Sequence, residues 1–343
     1  MEFKLKTGLA TKYSFILALT FVSIVGCKNE PMSGTTDKKE SVTPVKIPRF
    51  NQDSAYAFIE KQLSFGYRVP GTEASYKCKD WIVNKMKSYG ADVEEQDFKA
   101  SFLGKTDVDA TNIIAQFKPS NKKRVLLCAH YDSRLVAEKD ADESIQNDPI
   151  PGADDGASGT AALIEIGRIL QENPIDLGVD IVFFDAEDQG DNDGAQDTWC
   201  LGSQYWTNNP HKRKYNAEFG ILLDMIAAEG AVFHKEGYSY QYARDYTDKI
   251  WKLAQAMGFG DLFQNRVIGG ITDDHFYINT VLGIPTVDII NTAGMSSGKT
   301  FGDYHHTHAD DINIINKRNL RIVGQIVTAV VYKTYDRSFK KIR

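Results

Sequence analysis

Residues 124–132 read RVLLCAHYD and residues 179–188 read VDIVFFDAED. Each opens with an apolar run of strand length, 124–129 and 179–184, and ends at once in histidine or acidic side chains. Residues 219–223 and 286–290 are further strand candidates, and the first of them runs into another acid, Asp224. Between and after these runs, residues 158–171, 241–257 and 318–335 carry apolar side chains at helical spacing. Strands alternating with helices predict an α/β fold: a single domain with a mostly parallel, mixed central sheet flanked by helices on both faces. Ligands of such sheets bind beyond the carboxyl ends of the strands. The clusters that follow the first three strand candidates stand where that rule places a site.

Toward the N-terminus the chain changes character. Lys4, Lys6 and Lys12 precede an apolar run from Tyr13 to Val25, too short for a comfortable membrane span and patterned like a secretory signal. The run closes on Ile24, Val25, Gly26 and Cys27, which resembles the bacterial lipobox, whose cysteine becomes lipidated and then heads the mature protein. Several acyl chains on one cysteine, at about 0.8 kcal/mol per buried methylene, hold a protein firmly to a membrane. Residues 28–45 are rich in Ser, Thr, Lys, Glu and Pro without a hydrophobic period, the composition of a flexible tether. The expected organisation is therefore a lipoprotein signal peptide at 1–26, a tether with lipidated Cys27 at 27–46, and a catalytic domain at 47–343. The expected location is that of an exported bacterial lipoprotein, periplasmic or anchored in the outer membrane.

The 343 residues are 42% hydrophobic and 25% charged, ordinary for a soluble globular domain, and the formal charge of -6 argues against nucleic acid as a partner. The remaining cysteines, Cys78, Cys128 and Cys200, are odd in number and widely spaced, which speaks against a disulfide framework or a cysteine-rich metal site. One pair could still bridge in an oxidising compartment.

The chemistry concentrates in a few motifs. In an extended segment residues i and i+2 share a face, so Asp132 can orient the imidazole of His130. Residues 151–159 read PGADDGASG, a glycine-rich turn with two acids ahead of a helix, a pattern that also suits an N-cap. Asp185, Glu187 and Asp188 crowd three carboxylates into four residues, which repel one another unless a cation or proton compensates. TDDH at 272–275 and HHTHADD at 305–311 complete a set of His, Asp and Glu without cysteine, suited to a zinc site with an open position.

The order of these motifs, joined by GYRVPGT at 66–72, resembles the zinc exopeptidase superfamily, which holds the bacterial leucyl aminopeptidases and the animal-type glutaminyl cyclases. The resemblance spans nearly the whole mature chain. It implies zinc ligation by Asp155, Asp188 and His306, and Glu187 as general acid/base, while Asp154 falls where the family varies and reads as a turn residue. His130 and Asp224 match the positions that hold a second metal in the aminopeptidases, with Asp155 as the bridge.

Asp273 separates the two activities. Aminopeptidases of the superfamily tend to have Ser before the Asp-His pair, whereas the cyclases have Asp-Asp-His, as at 273–275 here. In the cyclases that first acid shares a proton with the one matching Asp224, since two close carboxylates cannot easily both ionise. QDTWCLGS at 196–203 also resembles a cyclase segment. Two positions depart from the animal cyclases: His305 replaces the Trp before the zinc histidine, and Asp193 stands where another pocket Trp is expected. Trp199 or Trp206 could supply an aromatic wall, and Trp199 and His305 are the candidate substrate-pocket residues. The resemblance thus implies a glutaminyl-peptide cyclotransferase with one zinc, acting on peptide N-termini through Glu187, Asp224 and Asp273. The alternative is a zinc aminopeptidase with two metals, in which Glu187 deprotonates a water that attacks the first peptide bond.

Overall fold

A computed structural model of the chain describes residues 44–192 and 195–342. The expected signal segment, Cys27, most of the expected tether and Asp193 lie outside the described residues. The described residues group as one compact unit.

Eight strands are present among the described residues: β1 (Asp92–Phe102), β2 (Lys105–Phe117), β3 (Arg124–His130), β4 (Gly178–Phe184), β5 (Gly220–Asp224), β6 (Phe233–Lys235), β7 (Phe263–Val267) and β8 (Thr286–Ile290). Six of them form the central sheet in the order β1-β2-β4-β3-β5-β8. β4, β3, β5 and β8 run parallel, while β2 joins β4 antiparallel and pairs with β1 as a hairpin. The hairpin, which the apolar runs did not announce, turns on Leu103 and Gly104 at positive φ, the backbone a two-residue connection between twisted strands requires. β6 and β7 form a separate parallel pair.

The helices are α1 (Gln52–Leu63), α2 (Glu73–Ser88), α3 (Ala157–Glu172), α4 (Leu201–Asn208), α5 (Gly237–Tyr242), α6 (Arg244–Ala256), α7 (Asp274–Tyr277) and α8 (Lys317–Tyr335). Side chains alternate across a strand, and the core divides accordingly. Val125, Leu127, Ile181, Phe183, Ile221 and Leu223 pack with α1, α2, α3, α6 and α8 on one face. Leu126, Cys128, Val182, Phe184 and Leu222 face Trp206 of α4 and Ile278 on the other. Because both faces are covered, every residue of β3 and β4 is buried, and their sequences are apolar apart from Arg124 and Asp180, which pair with each other, and the terminal His130.

The helix expected at 241–257 is two. Glu236 caps α5, its side chain accepting the N–H groups of Tyr238 and Ser239, and the chain leaves helical geometry at Ala243 (φ -129°, ψ 30°) before α6 begins. Apolar spacing continues across the corner, which hid the break. The other expected strands and helices appear within one or two residues of their predicted ends. Cys78, Cys128 and Cys200 are free and buried, so none of them pairs. No helix among the described residues is long and apolar enough to cross a membrane.

Candidate active site

His130 and Asp224 are the last residues of β3 and β5, and Asp185 to Asp188 follow β4 directly. The parallel register of these strands brings their carboxyl ends to one edge of the sheet. Above it lies a cavity of about 500 Å³ lined by Asp155, Glu187, Asp188, Asp224, Asp273, His305, His306 and Trp199, among others. The candidate zinc ligands, catalytic acids and the pocket candidates Trp199 and His305 all line it; His130 does not and is buried, bonded to the lining acids Asp155 and Asp224.

Two histidines organise the carboxylates. His306 places Nε2 3.0 Å from Asp188 Oδ1 and 4.0 Å from Asp155 Oδ2, while its Nδ1 is 2.5 Å from Glu138 Oε1. Glu138 accepts the Nδ1 proton, which leaves the Nε2 lone pair for a metal. His130 Nε2 lies 3.1 Å from both Asp155 Oδ1 and Asp224 Oδ1, and its Nδ1 contacts Asp132 Oδ1 at 3.2 Å. Asp132 also accepts the backbone N–H groups of Glu187 and Asp188, so one carboxylate orients the histidine and fixes the loop after β4. The turn before α3 is held in the same way: Asp310 accepts the N–H groups of Asp154 and Asp155. Asp154 is more than a turn residue, since its carboxylate accepts from Ala227 N–H and Tyr304 O–H and ties the turn to the chain beyond β5.

Burial dominates the electrostatics. It pushes Glu187 well above the usual carboxylate range, with His130 opposing and Asp273, Asp274 and Asp188 reinforcing the shift. Burial likewise raises Asp224, where the charges of Asp155 and Asp273 add to it, and Asp273 is raised for the same first reason. Asp188 Oδ2 and Asp273 Oδ2 are buried without a hydrogen-bond partner. So many acids around one cavity need cations or protons for compensation. Asp155, His305 and His306 each offer a donor atom within 4.8 Å of the others, as do His130, Asp155 and Asp224. An all-nitrogen-and-oxygen donor set, an oriented histidine and a partnerless carboxylate oxygen on Asp188 fit a zinc ion.

The pocket walls come partly from where they were expected. Trp199 lines the cavity and stacks on His306 (centroids 5.8 Å apart, 14° between planes), with the Arg134 guanidinium 4.6 Å over its ring. Gly190 permits this placement, because a Cβ there would sit 2.0 Å from the indole. Trp206, the alternative wall, is fully buried against Phe184 and Tyr215 and belongs to the core. His305 lies flat against His306, centroids 3.7 Å apart, and its Nδ1 accepts from Lys139 Nζ at 2.6 Å. Burial and the neighbouring His306, Lys139 and Arg134 hold His305 well below the ordinary histidine range, hence neutral. Glu138, Arg134 and Lys139 were not anticipated; they lie in the loop after β3, where no periodicity marks them.

Residues 112–331 match the sequence model of Peptidase family M28. The crystal structure of Bacteroides thetaiotaomicron glutaminyl cyclase bound to N-acetylhistamine is 43% identical, covering 84% of this chain and 99% of that one with a TM-score of 0.81. Aminopeptidase YwaD of Bacillus subtilis is 28% identical over 244 residues, 68% of this chain but only 47% of that protein. The glutaminyl-peptide cyclotransferase of Bos taurus is 26% identical over 306 residues, 77% of each chain. The family match runs from β2 to α8 and takes in the strand-end acids, the turn before α3 and the paired histidines alike, so the chain belongs to Peptidase family M28.

Proposed function

We propose that this protein is a zinc-dependent glutaminyl cyclase, which converts an N-terminal Gln of peptides and proteins to pyroglutamate with release of ammonia. The observation that carries this reading is Asp273. It lines the cavity beside Glu187 and Asp224, is buried, and keeps one carboxyl oxygen without a partner, as a group awaiting an amine would. The likeness to a solved glutaminyl cyclase at 43% identity over almost all of that chain supports it.

Asp155, Asp188 and His306 would hold one zinc ion, which when bound supplies Lewis-acid polarisation of the substrate's γ-carbonyl. The cavity positions the peptide so that its α-amine nitrogen forms a bond to the side-chain carbonyl carbon while the bond from that carbon to the amide nitrogen breaks. Holding both ends of one residue in place makes the attack intramolecular. Glu187 takes a proton from the amine and returns it to the departing nitrogen, a task that suits a carboxyl raised by burial. Asp224 and Asp273, sharing a proton, hold the amine and the leaving nitrogen. Trp199 and the neutral His305 form the flanks against which the glutaminyl side chain lies.

Independently of the reaction, we propose from the N-terminal sequence pattern that the catalytic domain works outside the cytoplasm, exported by a signal at 1–26, anchored through Cys27 and tethered to the membrane by residues 27–46. Replacing Asp273 tests the choice of reaction. Asp273→Ser should abolish ammonia release from Gln-initiated peptides, and wild-type protein should hold one zinc per chain by metal analysis. Two zinc ions, cleavage of Leu-initiated peptides and tolerance of Asp273→Ser would instead support an aminopeptidase built on His130, Asp155 and Asp224.

A further inference from the structure

Asp273 sits on a short connection between β7 and α7, and one buried carboxylate outside the cavity grips that connection on both sides. Glu236, fully buried, directly follows β6. Its Oε1 accepts the backbone N–H of Ile271 at 2.8 Å and that of Tyr238 at 2.7 Å. Its Oε2 accepts from His275 Nε2 at 2.8 Å and from the N–H and O–H of Ser239 at 2.7 and 2.8 Å. Ile271 and His275 bracket Asp273 two residues away on either side, and Ile271, Thr272 and Asp273 all line the cavity. Asp273 itself has only local restraints, the N–H of Asp274 on its Oδ1 and the N–H of Phe276 on its carbonyl oxygen.

Glu236, His275 and Asp288 stand close enough to share an ion. Five donors already fill the two oxygens of Glu236, however, and this carboxylate has no free lone-pair direction to offer a metal. What it does have is reach: it joins the start of α5, the cavity rim and the ring of His275 through bonds strengthened by its charge.

We infer that Glu236 is a positioning residue for the reaction, fixing the place of Asp273 in the cavity by holding the chain before and after it. The inference rests on the glutaminyl-cyclase reading of the site. Neutralising the carboxylate replaces one acceptor oxygen with an amide that faces existing donors, so the segment 271–275 loosens and Asp273 drifts from the amine it must hold. A misplacement on the order of 1 Å lowers turnover about 100-fold without removing any group that binds substrate.

The test is steady-state cyclisation of a Gln-initiated peptide by the zinc-loaded protein carrying Glu236→Gln. Beside it stands His275→Phe, which keeps the ring shape, removes the donor and serves where the first variant does not fold. Each is expected to lose kcat by about 10- to 100-fold while KM stays within about twofold and zinc content matches wild type. The double variant should be no slower than the worse single one, because both cut one link. Folded, zinc-loaded variants that turn over at the wild-type rate, or losses that multiply in the double variant, overturn the inference. Absence of ammonia release by the wild type overturns the cyclase reading itself, and shows before any substitution is made.

Discussion

A side chain that moves protons near neutral pH must be able to hold one there, and Glu187 is placed for this by burial beside other acids. Glu187→Gln should keep its zinc and lose turnover by roughly two to four orders of magnitude, the usual contribution of a positioned acid/base. His306→Ala should lose the metal itself, since its Nε2 and Asp188 face each other at 3.0 Å across the proposed ligand position. Metal analysis together with ammonia release on both variants checks the assignment, and the reverse pattern would exchange the two roles. Single residues were legible where the motif is local: Asp155, Glu187, Asp188, Asp224, Asp273 and His306 each stand in a short run at a strand end or turn. Glu138 and Glu236 were not, because they work across the fold. Glu138 meets His306 over 168 positions and Glu236 meets His275 over 39.

At the scale of elements, the spacing of α3 from β5 sets the distance between Asp155 and Asp224. Gly159 makes this spacing possible, because a Cβ there would lie 2.1 Å from the carbonyl oxygen of Leu223. The obstacle is backbone, so the helix rather than a side chain would have to shift. Gly159→Ala should destabilise the protein by about 1–3 kcal/mol, as overpacking of a tight interior does, and lower Tm by several degrees with a parallel loss of activity. Thermal denaturation checks this, and an unchanged Tm would mean that the helix start has slack. The sequence displayed the four parallel strands because burial on both faces leaves them mostly apolar, with few charged side chains such as Asp180 and Asp288 inside them. It concealed β1, half exposed with an irregular burial pattern, and the corner at Ala243, where apolar spacing passes through a break.

For the whole molecule, the mixed composition pointed to the globular domain that the described residues form, while the N-terminal pattern, which lies outside the described residues, carries the proposal of export. If Cys27 carries the anchor, Cys27→Ser should move the protein from the membrane fraction to the soluble fraction or block its processing. Wild-type protein found soluble with an unmodified N-terminus would refute the anchor. The fold alone does not choose the reaction, since the chain resembles both an aminopeptidase and glutaminyl cyclases; that choice, as we propose it, rests on Asp273 and the pocket around it. The most direct measurement is the mass spectrum of a Gln-initiated peptide after incubation with the zinc-loaded protein. The cyclase account predicts a peptide of unchanged residue count that has lost one ammonia. A peptide shortened by one residue, with free glutamine released, would contradict it.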